Sequence, residues 1–132
     1  MFPMLLALGL GLPAADEAVT FTEHVAPLIF QNCTSCHRPG QGTPFGLRTY
    51  EEVKKRGHLI QNVTQSGYMP PWPPAAGWGH FQDERRLSPA QLDVLDRWVT
   101  AGMPEGPREK LPPLPEFPPD GWQLGTPDLV VR

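Results

Sequence analysis

Apolar residues recur at helical spacing in three stretches of the chain. Phe21, Val25, Leu28 and Ile29 share one face of the first. Val53, Ile60 and Val63 mark the second, and Leu59 widens it. Leu92, Leu95, Trp98 and Val99 form the third and broadest stripe. Each stretch opens on a capping-box pattern: Thr20–Glu23, Thr49–Glu52 and Ser88–Gln91. Pro89 stands at the first helical position of the third, where its missing N–H costs nothing. Pro27 removes one backbone bond from the first helix and bends it. The stops are equally plain: Arg38-Pro39-Gly40-Gln41-Gly42, Ser66-Gly67 and Ala101-Gly102. The pattern predicts a mainly α domain of three or more short helices. Leu129-Val130-Val131 resembles a strand with nothing to pair with.

Composition narrows this picture. Among 132 residues there are 18 Pro and 13 Gly, which excludes a long bundle or an extended sheet. The length allows one compact domain with extra segments. From Pro104 to Pro119, seven of sixteen residues are Pro, a composition that favours an extended linker. The run Met4–Leu12 is too short to span a bilayer. Followed by Pro13-Ala14-Ala15 and two acids, it reads as a secretory signal peptide, although no Lys or Arg precedes it. The expected organisation is a signal peptide at 1–15, a domain at 16–103, a Pro-rich linker at 104–120 and the start of a following segment at 121–132. The net charge of −3 carries no footprint for nucleic acid and no basic membrane-surface helix.

The two cysteines are in Asn32-Cys33-Thr34-Ser35-Cys36-His37. C-x-x-C followed at once by His is the attachment sequence for c-type haem. Two thiols one turn apart can add to the two vinyl groups on one porphyrin edge. The adjoining His is then placed to bring an imidazole nitrogen to the iron. A thioredoxin-like motif would follow a strand in a βαβ pattern, and no such pattern is visible. A structural zinc site would need two more ligands, and only His24, His58 and His80 remain, scattered. Covalent haem also points to export, since this attachment occurs outside the bacterial cytoplasm.

Gly67-Tyr68-Met69-Pro70-Pro71-Trp72-Pro73-Pro74 is a stiff loop, with φ fixed at four prolines. A Met held in such a loop offers a soft thioether suited to haem iron. The alternatives are a Met packed as an apolar plug, or His80 or His58 in the sixth position. Met103 precedes Pro104 in a similar way. It lies just past the last helix, where a packing contact at the domain edge is expected. Gly57, inside the second stripe, either lets backbone approach a flat cofactor or is a tolerated surface glycine.

Phe21–Gly40, the Tyr68-Met69-Pro70 loop and Leu87–Gly102 together resemble a class I c-type cytochrome domain. That resemblance implies a cytochrome c-like fold around one covalent haem, with a Pro-rich C-terminal extension. It implies thioethers at Cys33 and Cys36, His37 as proximal ligand and Met69 as distal ligand. A narrower likeness rests on Tyr68-Met69-Pro70-Pro71-Trp72, Gly79-His80-Phe81 and Gly121-Trp122-Gln123-Leu124-Gly125. These look like the bacterial cytochrome module found upstream of copper, ascorbate-dependent monooxygenase-like domains. Pro73 stands where that module often has His, and Met103 where a smaller residue is usual.

Two functional classes follow. The first is an exported, periplasmic electron-transfer module with six-coordinate iron and no substrate chemistry of its own. Its partner would be a redox protein or a fused oxidoreductase domain, and the net acidity favours a basic partner face. The second is a haem enzyme or sensor, peroxidase-like or gas-binding, with a labile sixth ligand. No Ser-His-Asp or paired-carboxylate arrangement supports independent catalysis.

Overall fold

The computed structural model describes residues 18–118, 122 and 125–131. The expected signal peptide at 1–15 lies outside the described residues. Those described are mainly α: a π-helical turn Phe21–Val25 leads into α1, Ala26–Asn32, followed by α2, Tyr50–Lys54, α3, Gly57–Gln65, and α4, Pro89–Thr100. A 3₁₀ turn, Arg108–Lys110, follows, and no strand occurs among the described residues. None of the described helices is long and apolar enough to cross a membrane.

The apolar stripes turn inward, except that Leu59 is exposed. Phe21, Val25, Ile29, Val53, Leu95 and Trp98 are almost completely buried and form one continuous core. Two capping boxes form as their local sequence dictates. The Thr49 hydroxyl accepts the Glu52 N–H at 3.2 Å, and the Ser88 hydroxyl accepts the Gln91 N–H at 3.3 Å. In return Glu52 and Gln91 side chains accept the backbone N–H groups of Thr49 and Ser88. Each box satisfies donors that a helix start leaves orphaned.

The expected box at Thr20 does not form. No side chain caps this helix in that way, and Thr20 donates its N–H to His24 Nδ1 at 3.2 Å. The N–H groups of Phe21 and Thr22 are satisfied from a distance, by the carbonyls of Pro104 and Glu105, each at 2.9 Å. Glu23 turns outward to Lys110, 2.7 Å away, and that hydrogen bond holds its carboxyl below the usual carboxylate range. The π turn carries an i→i−5 bond from the Ala26 N–H to the Phe21 carbonyl. It gives way to α1 at Pro27, which sits near the start of that helix and has no N–H to donate.

The second predicted helix is two helices. Arg56 leaves helical geometry (φ −119°, ψ 10°) between α2 and α3. Gly57 then passes against Met103 and Trp98, where an added Cβ would stand 2.3 Å from the Met103 sulfur. Gly57 is buried, so it is not a surface glycine, and the group it admits is Met103. Met103 is half-buried on the core after a left-handed turn at Gly102 and Met103 that closes α4. Asp96 on α4 accepts hydrogen bonds from Gln61 and Gln65 of α3, at 2.7 and 3.0 Å.

The Pro-rich segment keeps to the body of the domain at its start. Pro104 accepts the indole N–H of Trp98 as well as the Phe21 amide, both at 2.9 Å. Gly106 adopts φ +86°, and an added Cβ would meet Thr20 and Thr22 atoms at 2.6 Å. Leu114 packs on the core, and Phe117 lies beneath the Arg38 guanidinium, 4.1 Å from it. Leu129, Val130 and Val131 are exposed and form no strand.

Gly57 and Met103 form a complementary pair, so substitutions there should be coupled. Gly57→Ala is expected to destabilise the fold by about 1–3 kcal/mol through overpacking. Adding Met103→Ala should relieve part of that loss, giving a coupling of about 0.5–2 kcal/mol in a double-mutant cycle of denaturant unfolding. Additivity of the two changes would show that the pair does not share the space.

Candidate functional site

Cys33, Cys36 and His37 continue the turn in which α1 ends. The N–H of Cys33 donates to Ile29, and that of His37 to Cys33, both at 2.9 Å. Thr34, between the cysteines, is fully buried, and its hydroxyl lies 3.2 Å from the Ile29 carbonyl and 3.0 Å from that of Leu47. The Leu47 N–H returns a bond to the His37 carbonyl at 2.9 Å. The motif is therefore pinned on both sides before any ligand is considered.

It borders a cavity of about 540 Å³ with an almost wholly apolar wall. That volume is within the usual range for small-molecule and cofactor sites. Cys33, Cys36 and His37 form one part of the lining, and Ile60, Val63 and Leu59 of α3 another. Met69, with Tyr68, Pro70 and Pro71, lines it from the loop after α3. The Met69 N–H donates to the Val63 carbonyl at 2.9 Å, which ties that loop to the last turns of α3. Thus the four residues singled out by the sequence, Cys33, Cys36, His37 and Met69, meet at one cavity.

The competing residues are elsewhere. His58 and His80 are exposed and neither lines the cavity, while His24 accepts the Thr20 N–H at the first helix. Met103 is seated on Gly57 and does not line the cavity either. No group of three His, Cys, Asp or Glu suited to a metal ion exists among the described residues.

His37 is held by a residue that pattern reading passed over. Its ring stacks on Phe45, with centroids 4.8 Å apart and planes 25° apart. Its Nδ1 lies 3.3 Å from the Phe45 carbonyl oxygen. A carbonyl can only accept, so this contact assigns the proton to Nδ1 and leaves Nε2 with its lone pair. On the same Phe45 ring lies the Arg56 guanidinium, 4.2 Å from the centroid. Phe45 therefore contacts a cation and an imidazole through one ring. Arg85 also lines the cavity, and the indole N–H of Trp72, next to cavity-lining Pro71, is buried without a partner. The only sequence signal for Phe45 was an aromatic in a Gly- and Pro-rich loop beside the motif.

Burial pushes the Cys33 thiol up to about 12, with a smaller contribution from Cys36. Desolvation thus favours the neutral thiol at Cys33. Comparisons with protein-family models, curated proteins and solved structures find no match to this chain.

The raised Cys33 value has a direct pH consequence. A thiol that ionises less readily when folded stabilises the fold below its unfolded pKa and loses that contribution as pH rises towards the folded value. The chain carrying free thiols should therefore unfold at lower denaturant at pH 10 than at pH 8. Cys33→Ala should flatten that alkaline loss; an unchanged slope would assign it to other groups.

Proposed function

We propose that this chain is a monohaem c-type cytochrome domain with a cytochrome c-like fold, passing single electrons to and from a partner protein or a fused oxidoreductase domain. The observation that carries the reading is the convergence of Cys33, Cys36, His37 and Met69 on one apolar cavity. Cys33 and Cys36 would hold haem c through thioethers, with His37 and Met69 as axial ligands. Haem supplies a reversible one-electron iron couple when bound.

The residues present fit such a group. The Phe45 carbonyl fixes the His37 tautomer and leaves Nε2 as the ligating nitrogen. Met69 stands on a loop already tied to α3, so little ordering is needed to present its thioether. Leu47, Ile60 and Val63 give the wall an apolar surface. Arg85, in the lining, is a cation available to haem carboxylates. A thioether from Met69 would favour the reduced state of the iron. Among the described residues the lining holds no carboxylate, and its titratable groups are Cys33, Cys36, His37, Tyr68 and Arg85. Attachment of this kind also supports export to the periplasm.

When the chain is expressed with a cytochrome maturation system, the haem should remain on the polypeptide through acid-acetone extraction. Met69→Ala should lower the reduction potential and open the ferrous protein to carbon monoxide, whereas Met103→Ala should do neither. Complete loss of haem on extraction would overturn the reading. Ready binding of carbon monoxide by the unmutated protein would move it to the enzyme or sensor class.

Arg56 carries a second expectation. Its positive charge, stacked through Phe45 on His37, opposes a further positive charge on the metal. Arg56→Gln should lower the potential by roughly 1 kcal/mol in free energy. Arg56→Lys should retain part of it, because charge survives but planar stacking does not. Protein-film voltammetry of the three proteins provides the check.

A further inference from the structure

We propose that the Pro-rich segment is a strap, latched at its far end onto the cysteine turn by Phe117 and Arg38. The chain that follows Phe117, and any redox partner joined to it, is thereby held beside Cys36. The consequence for electron transfer rests on the cytochrome reading above.

A free polyproline spacer running from Pro104 to Phe117 would reach about 40 Å out from the core. This segment instead returns to the domain along its length. The Pro104 and Glu105 carbonyls accept the Phe21 and Thr22 amides, and Gly106 lies against Thr20 and Thr22. At the 3₁₀ turn Arg108–Lys110, the Lys110 ammonium stands 2.7 Å from the Glu23 carboxylate. Leu114 packs on the core, and Phe117 meets Arg38. From Gly106 onward these contacts recur every three or four residues.

The last of them is chemically specific. Arg38 directly follows His37, and its backbone N–H donates to the Cys36 carbonyl at 3.1 Å. Its Nε donates to the Ser35 carbonyl at 3.2 Å, which fixes the guanidinium to the cysteine turn. The centroid of the Phe117 ring lies 4.1 Å from the guanidinium carbon. Arg38 Nη2 is buried and has no hydrogen-bond partner. A cationic nitrogen taken out of water without an acceptor is costly, and the aromatic face is the compensation present. A planar guanidinium can stack on a ring while it donates through Nε; an ammonium cannot do both.

Cys36 is exposed, and its Cα is within about 8 Å of that of Arg38. With haem attached through Cys36, the chain leaving Phe117 therefore starts next to the attachment edge. A partner joined there by a short, stiff connection meets that edge at an effective concentration that a freely diffusing partner lacks.

The test uses the haem-loaded, isotope-labelled chain, compared by NMR in its ferric and ferrous states. Low-spin ferric iron is paramagnetic and displaces nearby amide resonances; the low-spin ferrous form is diamagnetic and supplies the reference. The Glu116 and Phe117 amides should shift between the two states. Arg38→Lys and Phe117→Leu should each cut those shifts roughly twofold or more, and should speed cleavage after Glu116 by a glutamate-specific protease about tenfold as the segment opens. Phe117→Trp keeps an aromatic face and should preserve both properties. Combining Arg38→Lys with Phe117→Leu should add little to either change alone, because the two remove one contact.

Glu116 and Phe117 amides that do not respond to oxidation state, or shifts and cleavage left unchanged by Arg38→Lys, would overturn the strap while the haem spectrum keeps the cytochrome reading intact. Failure to take up covalent haem would overturn the cytochrome reading and, with it, the placing of the electron's exit at Cys36.

Discussion

The carbonyl oxygen of Pro104 accepts two hydrogen bonds, one from the Phe21 amide and one from the Trp98 indole. Through that atom the first helical turn, the last helix and the chain that leaves it are bound together. The junction is reinforced on each side. The Tyr50 hydroxyl donates to the Met103 carbonyl at 2.8 Å, and the Thr22 amide donates to Glu105. Phe21 packs within aromatic range of both Tyr50 and Trp98, at 5.4 and 6.2 Å. Buried donors without partners are costly, so this cluster accounts for polar groups as well as apolar surface.

The cavity depends on that arrangement. With the start of the first helix anchored, α1 delivers Cys33, Cys36 and His37 at its end. With α4 anchored at its end, Trp98 and Met103 form the floor against which Gly57 can pass. That passage divides the middle of the chain and allows α3 to present Leu59, Ile60 and Val63 to the cavity. The loop that follows brings Met69 to the same space. The candidate site is thus assembled from segments that the core positions independently.

What was legible in the sequence was local. Helical stripes, the capping boxes at Thr49 and Ser88, and the C-x-x-C-H spacing all lie within a few residues, and each box closes as read. The Thr20 box failed because its components had better distant partners: Glu23 reaches Lys110, and the amides of Phe21 and Thr22 reach the carbonyls of Pro104 and Glu105. The same distinction applies to the site. Cys33, Cys36, His37 and Met69 were recognisable by the chemistry of their side chains. Phe45 and Arg56 were not, because their stack on His37 exists only after the loop and α2 have met. Gly57 misled for the same reason, since its neighbour lies in a turn forty-six positions away.

The bond from Phe21 to Pro104 also sets an order in time. Its two ends are separated by most of the domain, and contacts of such long range are slow to close. A chain emerging one residue at a time can form a transient first helix. Its leading amides acquire their permanent acceptors only when residues 104 and 105 have emerged. Until then Cys33 and Cys36 follow a helix whose beginning is still unanchored. The segment that carries the two cysteines is consequently accessible before the core has closed around it.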